Sequence, residues 1–201
     1  LPTPPEHEGL TFQEWNWPLA DAQAYCAKYG MVDIGATYIT SDGKTRINIT
    51  LTEGRTSPTL GLGINGSVDV DWGDGSEHST LTGSSISTVV STTHNYLTPG
   101  SYVITLTPAE GTTCSIIGNN STYCTLITSD GLEHYGYQSS IKSCYIGNGF
   151  TSIRGLAFRG CRGLKYITIP RNVTDRIDSY AFSDNYSLIS IIIPQGINTI
   201  N

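Results

Sequence analysis

The sequence predicts a mostly β fold: a β-sandwich of short strands, then a solenoid of stacked coils that stops before its end, preceded by one short helix. Three observations predict it. Charged residues make up only 14% of the chain, while Gly, Ser, Thr, Asn, Tyr and β-branched residues are abundant, a bias toward strands and turns. From about residue 36 the apolar residues recur with a period of two. From Ile141 onward a longer apolar pattern recurs at 23 and then 24 residues.

At 201 residues the chain has room for one domain or for two to three small ones. Its charge is split. Residues 1–140 carry four Lys/Arg against fourteen Asp/Glu, and residues 141–201 carry seven against three, which suggests separate modules. The expected units are a linker and short helix over 1–35, a β-sandwich over 36–110, a hairpin and connector over 111–140, and repeats over 141–201.

Composition also excludes function classes. No basic run is interleaved with aromatics densely enough for nucleic acid. No apolar stretch approaches the ~20 residues of a membrane span. Leu1-Pro2-Thr3-Pro4-Pro5 opens the chain without a signal-peptide pattern, so it reads as an excised mature segment. The five cysteines, at 26, 114, 124, 144 and 161, form neither Cys-x-x-Cys nor a zinc spacing.

Residues 1–17 read as a linker that enters a small aromatic cluster of Phe12, Trp15 and Trp17. The helix follows over Pro18–Gly30. Pro18 suits its start, Gly30 suits the C′ position, and Leu19, Ala22, Cys26 and Tyr29 make one apolar stripe. Alternating runs come next: Ile47, Ile49 and Leu51; Leu60, Leu62 and Ile64; Val68, Val70 and Trp72; Tyr102, Ile104 and Leu106. They are bounded by the turn signals Asp42-Gly43, Asn65-Gly66, Asp74-Gly75 and Pro99-Gly100. Short strands with no helix between them indicate a sandwich. Cys114 to Cys124 reads as two short strands around Gly118-Asn119-Asn120, where a cross-strand disulfide stays open because two cysteines in one hairpin need not face each other.

The repeat decides the architecture of the C-terminal part. Ile141, Cys144, Ile146, Phe150, Ile153, Ala157 and Phe158 form one set. Leu164, Ile167, Ile169, Val173, Ile177, Ala181 and Phe182 repeat it, and Leu188, Ile191, Ile193, Ile197 and Ile200 begin a third. Pro170 and Pro194 occupy the place that Gly147 fills in the first copy. One copy cannot bury these groups alone, so neighbours must stack and share a core. A solenoid ending in mid-repeat leaves an apolar end, so the natural protein is expected to continue.

Leu164-Lys165-Tyr166-Ile167-Thr168-Ile169-Pro170, Ile177-Asp178-Ser179-Tyr180-Ala181-Phe182 and Leu188-Ile189-Ser190-Ile191-Ile192-Ile193-Pro194 resemble the BspA-like leucine-rich repeats. That resemblance implies a bacterial cell-surface protein, often one involved in adhesion. Val70-Asp71-Trp72-Gly73-Asp74-Gly75-Ser76, His94-Asn95-Tyr96 and Pro99-Gly100-Ser101-Tyr102-Val103-Ile104-Thr105-Leu106 resemble a polycystic-kidney-disease (PKD) domain, an immunoglobulin-like sandwich. This second resemblance implies an extracellular spacer or interaction module.

Several candidate sites fall to simpler readings. Gly61-Leu62-Gly63-Ile64-Asn65-Gly66 matches Gly-x-Gly-x-x-Gly, but a strand pattern follows it where a dinucleotide site needs a helix. Asp69, Asp71 and Asp74 are spaced like part of a calcium loop, yet the distal bidentate Glu is missing. His94, Trp72 and Tyr96 read as packing and turn-bonding groups. Cys144 and Cys161 read as packed thiols. No nucleophile elbow or phosphate loop is present, so no catalytic residue, metal ligand or cofactor is assigned.

The most informative surface is the strand face of the repeats. Ser143, Tyr145, Tyr166, Thr168, Ser190 and Ile192 alternate with the inward anchors and are expected to point outward as a ribbon. Tyrosine suits recognition, since it buries large area at modest entropy cost. The expected function is therefore a non-catalytic, secreted or surface-bound, adhesin-like protein whose partner is a host or extracellular-matrix protein or glycan. Rival readings are a carbohydrate-binding or spacer region of a larger secreted hydrolase, and a structural stalk.

Overall fold

In the computed structural model, residues 1–118, 124, 126–128 and 138–201 are described. The elements in order are β1 (Leu10–Trp15), α1 (Leu19–Tyr29), β2 (Ala36–Thr40), β3 (Thr45–Leu51), β4 (Thr59–Asp71), β5 (Ser79–Thr93), β6 (Gly100–Pro108) and β7 (Thr113–Ile116). There follow β8 (Ile127–Thr128), β9 (Ile141–Tyr145), β10 (Phe150–Ile153), β11 (Tyr166–Thr168), β12 (Arg176–Ile177) and β13 (Thr199–Ile200). The fold is mostly β with one short helix and one large, curled, open sheet.

The helix forms where its end signals lie. Pro18 is the N-cap, and Gly30 closes the helix in the left-handed region at φ 87°, its N–H donating to Cys26 O. The stripe does not pack as its pattern suggests, however. Ala22 is buried, whereas Leu19, Tyr25, Cys26 and Tyr29 stay exposed. Trp17 and Tyr25 rings lie 5.2 Å apart and Tyr25 and Tyr29 rings 4.4 Å apart, so the aromatic groups pack on each other rather than on the core.

Residues 10–15 are a strand rather than linker. β1 pairs antiparallel with β2 in a separate two-stranded sheet. The Asp42-Gly43 turn forms, with Gly43 at φ 72°, and leads from β2 into β3. The Asn65-Gly66 turn does not form: β4 runs straight through it. Gly66 adopts φ 121° inside the strand, because Thr112 sits against it. The Thr112 hydroxyl accepts from Ser67 N–H and donates to Ser67 O, both at 3.1 Å, and a Cβ on Gly66 would collide with that hydroxyl. With partners on both sides, β4 has more to gain from pairing than from turning.

The large sheet has the order β11-β9-β3-β6-β4-β7-β10-β12-β13, with β5 and β8 also on β4. The second half of β4 pairs antiparallel with β6 (Val68↔Pro108 to Asp71↔Thr105), and its first half with β7 (Gly63↔Ser115 to Asn65↔Thr113). β6 and β7 therefore run nearly in line, broken only by residues 109–112, and the sheet parts into two arms there. One arm passes from β6 through β3 and β9 to β11. The other passes from β7 through β10 and β12 to β13. The strands over 45–108 thus share one sheet with the strands of the repeats.

The two arms are the two rung sets of the sequence repeat. Cys144 is in register with Ile167, Ile153 with Ile177, and Ile177 with Ile200, all in parallel pairing. Phe158 and Phe182, equivalent in the first and second copies, stack with centroids 5.4 Å apart. Between the arms lies one core running from Ile47 to Ala181, in which Ile47, Leu62, Ile104, Ile116, Ile146 and Phe158 are fully buried. Each such side chain contributes roughly 1.5–3 kcal/mol relative to exposure.

The third copy differs. Leu188, Ile191, Ile193 and Ile197 are half-buried and Ile200 is exposed, and no strand forms over residues 188–194. Only its inner side meets another copy among the described residues, so each apolar group gains half the burial.

All five cysteines are free thiols, so Cys114 and Cys124 are not bridged. Cys114 lies in β7 facing the core, and burial pushes its thiol up to about 12. Burial likewise pushes Cys144 and Cys161 up. Such thiols stay protonated and inert at neutral pH. The proposed turn at Asn119-Asn120 and most of the connector lie outside the described residues.

Candidate functional site

Because side chains alternate along a strand, the pairing registers set rows on the sheet face away from the core. One row reads Thr105, Arg46, Tyr145, Thr168, and the next reads Val103, Asn48, Ser143, Tyr166. Ile192 and Ser190 are the equivalents of Thr168 and Tyr166 in the third copy, where no strand forms over residues 188–194. The coil residues singled out by sequence therefore lie on a face that also includes Arg46, Asn48 and Val103 from β3 and β6.

The face is roofed. The β1–β2 sheet lies across it, held at one end by the third copy and the residue after Pro170. Arg171 N–H donates to Gln13 Oε1 at 2.8 Å, Gln195 N–H to Glu14 Oε1 at 3.1 Å, and Gln195 Nε2 to Trp15 O at 2.6 Å. Gly35 presses directly on Ile192, where a Cβ would overlap its side chain. Asn16 and Gly35, at the adjoining ends of β1 and β2, exchange two hydrogen bonds, at 2.7 and 2.8 Å. Under the other end, near Tyr38 and Leu10, the two sheets do not meet.

The gap is a partly open cavity of about 940 Å³, near the upper end of the usual range for ligand pockets, about 300–1,000 Å³. Leu10, Ala36 and Tyr38 form its roof. Arg46, Asn48, Val103, Tyr145, Tyr166, Thr168, Ser190 and Ile192 form its floor. Five of the six residues expected to form a binding ribbon line it. The sixth, Ser143, is buried, because its Oγ accepts a 2.7 Å hydrogen bond from Asn48 Nδ2 on the neighbouring strand.

The tyrosines differ in their freedom. Tyr38 is buried, with its hydroxyl donating to Pro5 O at 2.8 Å. Tyr166 is 52% exposed. Among the described residues neither Tyr166 nor Tyr145 stacks on another ring or hydrogen-bonds through its hydroxyl. A bidentate ion pair closes one wall: Arg46 donates to both oxygens of Asp42, at 2.9 and 2.6 Å. That guanidinium, with the Lys44 amide also donating, holds the Asp42 carboxyl well below the usual range.

The three aspartates of the calcium-like spacing are each engaged within the chain. Asp69 Oδ2 is 2.9 Å from His78 Nδ1, and Asp71 Oδ1 accepts the Gly73 amide at 2.9 Å. Asp74 accepts from Ser76 and lies 2.8 Å from His94 Nε2. Among the described residues no group of three or more His, Cys, Asp or Glu is placed to hold a metal ion. His94 stacks on Trp72 at 4.7 Å, and the buried Tyr96 hydroxyl donates to Trp72 O at 2.9 Å. These groups fix the Asp74-Gly75 turn.

The parallel rungs, the stacked phenylalanines and the alternating face together define a leucine-rich-repeat region. Residues 132–201 match the family model described as BspA type leucine rich repeat region (6 copies). No curated protein and no solved structure matches the chain. Among the described residues no helix is long and apolar enough to cross a membrane.

Sequence reasoning missed Arg46, Asn48 and Val103, and the whole roof. The alternation of β3 was a usable signal for the first two, since Arg46 and Asn48 stand between Thr45, Ile47 and Ile49. Nothing local in the sequence says which strand lies beside β9.

Proposed function

We propose that this chain is the non-catalytic binding region of a bacterial surface or secreted protein, adhesin-like, and that the cleft between the two sheets takes its partner. Repeats of this type are typically surface-located or secreted and typically non-catalytic. In this reading the repeats are a solenoid, and the strands over 36–110, with their PKD-like motifs, cap its first coil. The partner is a host or extracellular-matrix macromolecule.

One observation carries the proposal. Residues far apart in sequence, from the β1–β2 sheet, from β3 and from all three copies, converge on one cavity, on whose floor Tyr145 and Tyr166 have no ring or hydroxyl partner among the described residues. Area and fixed side chains suffice for recognition there, and no reacting group is needed. The test is adhesion of the chain to matrix-coated surfaces and host cells, compared with a Tyr145→Ala plus Tyr166→Ala variant of unchanged melting temperature. Loss of adhesion is expected. Undiminished adhesion by the variant would reject the cleft as the binding element.

A further inference from the structure

Resting on the reading of the cleft as a binding site, we infer that its ligand is a neutral glycan, seated against Tyr166 and Tyr145 with its hydroxyls on the Asp42–Arg46 pair. The argument begins with what the cleft lacks. Its central floor residues Tyr145, Arg46, Asn48 and Val103 belong to β9, β3 and β6, which are paired on both edges, so that floor presents side chains and not free backbone. An extended peptide laid on those strands would bring an N–H and a C=O with every residue and find no backbone ladder there to meet them. Each such group left unpaired costs about 1–3 kcal/mol. Strand addition, the usual way a sheet takes a peptide, needs an edge.

A sugar ring has the opposite distribution. Its C–H faces are apolar, and its hydroxyls point outward from the rim. Tyr145 and Tyr166 sit on adjacent strands in neighbouring rows, with ring faces and hydroxyls uncommitted among the described residues, which suits stacking of successive sugar rings. The Asp42 carboxylate and Arg46 guanidinium hold each other in a fixed plane at 2.6 and 2.9 Å. Adjacent acceptors and donors of that kind match vicinal hydroxyls, which both donate and accept.

Charge selects within the class. Among the described residues Arg46 is the sole Lys or Arg lining the cavity, and Asp42 neutralises it. Glu8 stands at the same rim, and the chain as a whole carries a formal net charge of −6. Sialylated or sulfated sugars would therefore meet repulsion that a neutral glycan does not.

The experiment uses the 1–201 chain on an array of neutral and acidic oligosaccharides, alongside a displayed random-peptide library, followed by calorimetry on each hit. Binding to a neutral oligosaccharide is expected, with affinity nearly unchanged between 0.1 and 0.5 M salt. It should fall about tenfold or more in Tyr166→Ala while Tyr166→Phe retains most of it. Tyr166 is exposed, so both variants should melt with the parent. Binding only to acidic glycans, with strong salt dependence, overturns the inference. So does a silent array with a peptide that binds in a Tyr166-dependent way, and that outcome leaves the cleft itself standing. A glycan bound equally by Tyr166→Ala and Tyr145→Ala variants overturns both the inference and the cleft.

Discussion

The first and second copies of the repeat place apolar anchors at equivalent positions, yet where the second has Pro170 the first has Gly147. The second copy follows another copy, while the first follows β3 and the turn that precedes it. Gly147 N–H donates to Thr45 Oγ1 at 2.8 Å, and Asn148 N–H donates to Gly43 O at 2.7 Å. A Cβ on Gly147 would run into the Gly43 carbonyl and the Lys44 backbone. Proline would lose the amide and add a ring where no room exists. The difference teaches that a coil's identity is set by its neighbour, and that the first coil is built to seat backbone rather than another coil.

Breaking that seat should have the largest effect. Gly147→Pro is expected to destabilise by about 4 kcal/mol or more, the exceptional end for one substitution, as measured by urea unfolding. The reverse exchange, Pro170→Gly, should cost only about 1 kcal/mol, mostly through the greater freedom of the unfolded chain.

Extending the comparison to the third copy sharpens it. Ile146 is fully buried, and Ile193, its equivalent two copies on, is half-buried. Ile146→Ala should cost about 2–5 kcal/mol, and Ile193→Ala about half as much. Equal losses would show that burial in each copy does not depend on its neighbours.

The smallest effect is a pH dependence confined to the strand segment. Burial raises Asp74, but hydrogen bonds from Ser76 and His94 outweigh it and bring the carboxyl to about 2. A folded value below the unfolded one, near 4, gives stability that is present above pH 4 and lost as pH falls through 2. Asp74→Asn should therefore flatten the fall in melting temperature between pH 4 and 2. An unchanged slope would place the acid sensitivity elsewhere.

The repeats were the most legible part of the sequence because their signal is local and self-repeating. Each copy states its own anchors, and stacking follows from the need to bury them. The helix ends were legible for the same reason, since Pro18 and Gly30 act on their own neighbours. What the helix packs against was not, because an apolar stripe says only that a partner would help. At Asn65-Gly66 a local turn signal lost to long-range pairing on both edges of β4. The cleft was legible on its floor, through the alternation of Tyr145 and Tyr166 with inward anchors, and illegible in its roof. Contacts such as Gln195 to Glu14 and Trp15, 181 and 180 residues apart, leave no mark in any short window.

The position of β3 carries a consequence for how the molecule is made. On one edge it meets β6, with Thr50 and Ser101 hydroxyls paired 51 residues apart, and on the other it meets β9, with Asn48 and Ser143 paired 95 apart. During synthesis from the N-terminus β3 emerges early, gains its first partner midway, and waits with its second edge bare until the repeats arrive. Closing so distant a pair is slow, and an unpaired edge invites other chains in the interval. The first coil is then the event that ends the exposure, so its speed of docking governs how much of the newly made protein escapes aggregation.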